Sequence, residues 1–159
     1  MAPRRTETGG RLIDRAKPVR FRWNGRGLSG FAGDTVASAL LGSGRMLMGR
    51  SFKYHRPRGP FASGPEEPNA LIAAGSGARR TPNLRATVTP LTEGLETGSQ
   101  NHWPLLETDI GEVNDLMSKY FPAGFYYKTF IRPRWAWKWV FEPVIRQAAG
   151  LGRAPDRPD

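Results

Sequence analysis

Residues 19–23 alternate apolar Val19, Phe21 and Trp23 with basic Arg20 and Arg22, and run directly into Asn24-Gly25. Period-two alternation builds a strand with one buried face. Asn-Gly tolerates two consecutive residues at positive φ, so the chain is expected to turn back on itself there. A return strand through Leu28 and Phe31 follows. Gly33-Asp34-Thr35 then opens a helix, with Asp34 placed to cap the first-turn N–H groups. Val36, Ala37, Ala39, Leu40 and Leu41 supply its apolar face, and Gly42 or Gly44 ends it. A hairpin followed by a helix is how a β-grasp domain opens, although other α+β folds begin the same way.

Beyond the helix, residues 46–60 mix Arg50, Lys53, His55, Arg56 and Arg58 with Phe52 and Tyr54. Residues 61–69 are rich in Gly, Pro and Glu, and a short apolar run covers 70–74. Gly75-Ser76-Gly77 reads as a turn, and 84–89 reads as a further strand completing a small mixed sheet. The second half changes character. Residues 99–104 are loop-like, 115–120 form a short helical stretch stopped before Pro122, and 135–149 read as a helix that Pro143 kinks or restarts. Residues 121–141 are dense in aromatics, with Phe125, Tyr126, Trp135 and Trp139 as anchors.

The length of 159 residues allows one domain of ordinary size, and none of those residues is a cysteine. Disulfides, thiol catalysis and thiolate-held clusters are thereby excluded, because each needs the sulfur itself. With Gly 19 and Pro 14, a compact core carrying long irregular connections is expected. No apolar run approaches the roughly 18 residues of a membrane helix, and none of signal-peptide length follows the basic N-terminus. The chain therefore reads as a cytoplasmic protein with no membrane partner. Its 24 Lys and Arg against 14 Asp and Glu leave a net charge of +10. Such a field attracts nucleic acid, acidic proteins and phosphate-bearing cofactors alike and does not choose among them.

Three stretches carry a family likeness: Gly30-Phe31-Ala32-Gly33-Asp34-Thr35-Val36-Ala37-Ser38-Ala39-Leu40-Leu41, Gly49-Arg50-Ser51-Phe52-Lys53-Tyr54-His55-Arg56-Pro57-Arg58-Gly59, and Phe121-Pro122-Ala123-Gly124-Phe125-Tyr126-Tyr127-Lys128-Thr129-Phe130. With Glu67-Pro68-Asn69-Ala70 and Ser99-Gln100-Asn101, they resemble the start of the α subunit of heterotetrameric sarcosine oxidase, over roughly residues 11–159. The resemblance implies an α+β fold: a 2Fe–2S ferredoxin-like β-grasp domain followed by an irregular, helix-containing extension. Cluster-bearing relatives follow Pro-Arg-Gly with Cys-x4-Cys-x2-Cys and a later fourth cysteine. Laid after Pro57-Arg58-Gly59, that spacing falls on Ala62, Glu67 and Ala70, with the fourth position near Thr87. None supplies a thiolate, so the scaffold is expected without its cluster.

The resemblance further implies a flavoenzyme that demethylates sarcosine to glycine, passing the carbon to tetrahydrofolate or releasing formaldehyde, and forming peroxide. FAD, FMN, NAD and tetrahydrofolate are then expected in the holoenzyme, and none bound by this chain alone. The implied partners are the remaining α-subunit domains, the flavin-bearing β subunit, and the γ and δ subunits. The one Gly-x-Gly-x-x-Gly spacing, Gly25 to Gly30, falls in the hairpin turn and its return strand rather than between a strand and a helix, so it is no dinucleotide-binding fingerprint. The chain reads as either an N-terminal part or a separate small subunit, with a structural and docking role. A subunit of a related N-methyl amino acid oxidoreductase is the nearest alternative. The expected organisation is a flexible basic arm over 1–17, the β-grasp domain over 18–90, an aromatic-rich helical extension over 91–152 and a tail over 153–159.

Neither His55 nor His102 has a second ligand at metal spacing, Glu66-Glu67 lacks a base partner, and no catalytic or metal-binding residue is assigned. Arg50, Lys53, His55, Arg56 and Arg58 are the candidate cofactor-binding residues, since Arg pairs bidentately with phosphate. Pairing with an acidic partner subunit and plain solvation are the other readings of that loop. Trp135, Trp137 and Trp139 with Arg132, Arg134 and Lys138 read either as anchors at a protein interface or, in a nucleic-acid-binding module, as a stacking platform.

Overall fold

Strand β1 (Asp14–Trp23) turns at Asn24-Gly25, both at positive φ (48° and 76°), and returns as β2 (Arg26–Ala32). Trp23 pairs with Arg26 and Phe21 with Leu28, so the two-residue loop sets the register. The alternation expected from sequence is the burial pattern observed: Phe21 and Trp23 are buried, and Arg20 and Arg22 face solvent. The structure is a computed structural model and describes residues 5–116, 118–120 and 132–149.

Helix α1 (Val36–Gly42) lies on the apolar face of the sheet, presenting Val36, Ala37, Ala39 and Leu40. It approaches β2 closely at Gly30, where an added Cβ would meet Ala39 Cβ at 2.9 Å and Leu91 at 2.6 Å. The cap differs from expectation. Thr35, not Asp34, is the N-cap, and it forms a reciprocal capping box with Ser38. Asp34 instead accepts from Phe31 N–H (2.9 Å), Ser38 Oγ (2.6 Å) and both terminal nitrogens of Arg5 (2.8 and 3.1 Å). Removing the cap with Thr35→Ala is expected to cost about 1 kcal/mol, read as a lower denaturation midpoint with an unchanged slope.

Two two-residue strands, β3 (Gly49–Arg50) and β4 (Pro57–Arg58), form a separate ribbon. Then come β5 (Leu71–Ala74), β6 (Thr81–Arg85) and β7 (Leu95–Gly98). The main sheet has the order β2-β1-β7-β5-β6, with β1 and β7 parallel at its centre and the other pairings antiparallel. A helix packed on such a mixed sheet is the α+β, ferredoxin-like β-grasp arrangement. Phe21, Trp23, Val36, Leu40, Met48, Ile72 and Leu106 fill the space between the layers. Each large side chain so buried contributes about 1.5–3 kcal/mol relative to exposure, so a one-residue slip of β1, which would turn Phe21 and Trp23 outward, is strongly disfavoured.

Several segments depart from the sequence-based expectation. β1 starts at Asp14 and Arg5 is tied to Asp34, both inside the stretch expected as a free arm. β6 ends at Arg85, and 86–89 turn away from the sheet because Ala86 and Thr89 carbonyls accept the first-turn N–H groups of Ala37 and Val36. β7 lies past residue 90 and carried no strand signal, being short and half polar. The helical stretch expected at 115–120 is α2 (Val113–Leu116) followed by a 3-10 turn at Ser118–Tyr120. The helix expected at 135–149 is α3 (Arg134–Ala136), a π-helical turn at Trp137–Phe141 and α4 (Glu142–Ala149). Pro143 has no N–H to give the carbonyl four residues back, which suits a widened turn ahead of it. The third family-like stretch, with Phe125 and Tyr126, and the tail over 153–159 lie outside the described residues.

Candidate functional site: the cluster loop and its ion-pair staple

The loop between β4 and β5 carries the positions where the family spacing expects cysteines. Its carbonyl at Gly64 accepts the Thr87 hydroxyl (2.8 Å), and Ala70 O accepts Ala86 N–H (2.9 Å). Ala62, Glu67, Ala70 and Thr87 are thus gathered at one place. At its centre Glu67 is 1% exposed. One carboxylate oxygen accepts Phe61 N–H (2.7 Å) and Ala62 N–H (2.6 Å); the other accepts Asn69 N–H (2.6 Å) and Ala70 N–H (2.9 Å). Burial opposes ionisation, but the four N–H bonds outweigh it and hold the carboxyl below the usual Glu value. These residues do not fit an iron–sulfur cluster: none is a thiolate, and the donors converge on a carboxylate.

The basic loop beside it is engaged with the chain's own groups. Arg50 is buried, and its guanidinium donates to Leu106 O (3.0 Å) and His55 O (3.0 Å) and pairs with Glu112. His55 Nδ1 lies 2.7 Å from the fully buried carboxylate of Asp109, which also accepts Trp103 N–H (2.9 Å) and Gly111 N–H (3.0 Å). Burial would raise the Asp109 carboxyl, and those hydrogen bonds together lower it. Arg56 pairs with Asp115 at 2.7 Å, Arg58 donates to Asn69 Oδ1 at 2.7 Å, and Lys53 and Arg56 both lie over the Tyr54 ring. The five candidate residues have separate partners: Arg50 the carbonyls of His55 and Leu106, His55 Asp109, Arg56 Asp115, Arg58 Asn69 and Lys53 the Tyr54 ring. Arg50, His55 and Arg56 instead staple residues 106–115 to the β3–β4 ribbon, a pairing within the chain that the sequence reading did not consider. Asp109, Glu112 and Asp115, at three-residue spacing, were its only sequence signal.

The other histidine, His102, faces Ser99 Oγ at 2.8 Å through Nε2. Ser99 is buried and held by Asn24, whose Oδ1 accepts Ser99 N–H at 2.8 Å. This pair ties the hairpin tip to the end of β7 and exposes no nucleophile. Among the described residues no three His, Asp or Glu groups gather as a metal site, and no helix is long and apolar enough to cross a membrane.

The stapled segment presents a row of large apolar side chains to solvent: Trp103, Leu105, Ile110, Val113 and Leu116, with Trp103 69% and Leu116 84% exposed. Trp103 and Ile110 are neighbours, since Ile110 N–H donates to Trp103 O at 2.9 Å. Sequence reading missed the Trp103 end of this row because 99–104 resembled an ordinary loop. In the C-terminal helical stretch Trp135 and Trp139 are 66% and 71% exposed, with Lys138 over the Trp139 ring.

A ferredoxin-type β-grasp scaffold with an emptied ligand set defines a class, and comparison agrees: residues 16–102 match the family described as 2Fe-2S iron-sulfur cluster binding domain, and the chain belongs to that family. Within it, the chain is a homologue of sarcosine oxidase α subunits. It is 58% identical over 143 residues to sarcosine oxidase subunit alpha of Rhizobium meliloti (strain 1021), covering 90% of this chain and 14% of that protein. It is 44% identical over 92 residues to the subunit of the same name from Corynebacterium sp. (strain U-96), covering 56% of this chain and 10% of that one. The chain thus spans a small part of the length of the relatives it matches. Among solved structures, L-proline dehydrogenase from P. horikoshii aligns with 58% of this chain and 17% of its own at 22% identity, with a TM-score of 0.46.

Proposed function

We propose that this chain is the cluster-free docking region of the α subunit of a flavin-dependent sarcosine oxidase, acting in the cytoplasm. The observation that carries the reading is the 58% identity, spread over 90% of the chain, to a sarcosine oxidase α subunit. The exposed row from Trp103 to Leu116 supports a docking role, because large apolar groups on a rigid support are what an interface core needs. The occupants would be the remaining α-subunit domains and the flavin-bearing β subunit, with γ and δ completing the assembly. FAD, FMN, NAD and tetrahydrofolate would be held there, and this chain would contribute no catalytic group. The internally paired basic loop favours a staple over a cofactor-phosphate site.

Co-expression with the polypeptides of neighbouring genes tests this directly. Co-purification of a flavin-bearing complex that forms peroxide with sarcosine is expected. Trp103→Asp with Leu116→Asp should reduce recovery of that complex at least about tenfold, since buried hot-spot losses run to 2 kcal/mol or more. Both side chains are exposed, so the melting temperature of the chain itself should barely move. A complex active only on another N-methyl amino acid would shift the substrate assignment. A chain that assembles with nothing and binds single-stranded nucleic acid in a salt-sensitive way would overturn the reading.

A further inference from the structure

We propose that the Glu67 carboxylate takes the place of the iron–sulfur cluster as the anion around which the cluster loop is wrapped. The loop from Pro60 to Ala70 belongs to neither sheet, and its prolines at 60, 65 and 68 prevent regular strand pairing. Its buried N–H groups must find an acceptor, because each one left unpaired costs about 1–3 kcal/mol. In a cysteine-bearing loop the thiolates and the cluster supply negative charge at that place, with hydrogen bonds to the sulfurs.

Here the second ligand position, Glu67, turns its own side chain inward and supplies the charge. A carboxylate has two oxygens with room for about four donors, and it meets four: Phe61, Ala62, Asn69 and Ala70. Two of these donors, Ala62 and Ala70, are the first and third ligand positions, contributing backbone where a cluster would need sulfur. Thr87, near the fourth, donates its hydroxyl to Gly64 O. All four positions keep a part in holding the loop, and none needs metal. The loop is thereby shaped independently of iron, sulfide and redox state. It is a carboxylate-binding nest whose ligand is built into the chain.

The experiment is hydrogen exchange by mass spectrometry on the full chain, following peptides that span residues 59–72, together with melting curves. Glu67→Ala is expected to exchange at least about tenfold faster there, with β1 and β2 much less affected. Formate, a carboxylate of the missing group's size, should restore protection and melting temperature in Glu67→Ala and leave the wild type unchanged; neutral formamide should restore neither. Glu67→Gln keeps the shape and turns an NH2 toward two of the donors. It should lose protection on one pair of amides even if Glu67→Ala fails to fold. Wild-type exchange in both variants, or equal rescue by formate and formamide, would overturn the proposal. Neither readout depends on partners or substrate, so this outcome is separable from that of the sarcosine oxidase reading.

Discussion

Arg50→Ala is expected to release residues 103–116 from the β3–β4 ribbon and to lower stability by about 3 kcal/mol. The guanidinium is buried and serves carbonyls from two separate segments, those of His55 and Leu106, as well as the Glu112 carboxylate. Glu112 is 53% exposed in its side chain, so screening leaves its share under about 1 kcal/mol. The larger loss is two carbonyls deprived of this donor, that of buried Leu106 and that of half-buried His55. Against a typical domain stability of about 5–15 kcal/mol, the change is large. Arg50→Lys should recover less than half of it, because a point charge with three donors cannot reproduce a planar fork. Urea denaturation gives the magnitude, and hydrogen exchange over 103–116 gives the location. A wild-type midpoint with wild-type exchange in that segment would refute the staple. The apolar row rides on this segment, so the same variant should also lose partner binding.

Acid is expected to unfold the chain through three buried carboxylates. Asp34, Glu67 and Asp109 all have folded-state values held below their ordinary 3.8, 4.5 and 3.8. In each, burial opposes the charge and hydrogen bonds outweigh it: from Arg5, Ser38 and Phe31 N–H at Asp34, from backbone N–H groups at Glu67, and from Trp103 N–H, His55 and Gly111 N–H at Asp109. A group whose folded value is depressed stabilises the native state above its unfolded value, and that stability disappears as pH falls through the folded one. The chain should therefore be insensitive to these groups above about pH 5 and lose stability steadily below about pH 4. In that window the unfolded state takes up to one extra proton per group, three in all. Denaturant midpoints measured from pH 6 to pH 2 would show the slope, and Glu67→Gln should flatten it by about one proton. A slope unchanged by Glu67→Gln would mean that the native loop does not hold this carboxyl below its unfolded value.

The hairpin was legible because its signals are local. Alternation at 19–23 and Asn24-Gly25 require only neighbouring residues to specify a strand, a turn and a register. The helix after Gly33 was legible for the same reason, although its cap was not. Asp34 and Thr35 are both good caps by composition; Thr35 takes the cap with Ser38, while Asp34 is engaged by Phe31 N–H, Ser38 Oγ and the distant Arg5. β7 was not legible, since four residues of mixed polarity become a central strand only when β1 and β5 pair with them from either side.

The basic loop shows the same division. Arg50, His55 and Arg56 were visible as a charge cluster, but the partners that decide their role lie 54 to 62 residues away. Charge density along the chain does not reveal whether it is answered by phosphate, by another protein or by the same fold. By itself the sequence determined that no cysteine can hold a cluster, that a hairpin-then-helix opening is present and, through the family resemblance, that the ligand spacing falls on Ala62, Glu67 and Ala70 with the fourth position near Thr87. Only the tertiary structure decided that Glu67 turns inward to collect four N–H groups and that the basic loop closes on residues 106–115. The physical reason is range. Turns and strand faces follow from steric and hydrophobic preferences of adjacent residues, whereas a buried charge is tolerable only where the whole fold delivers its partners.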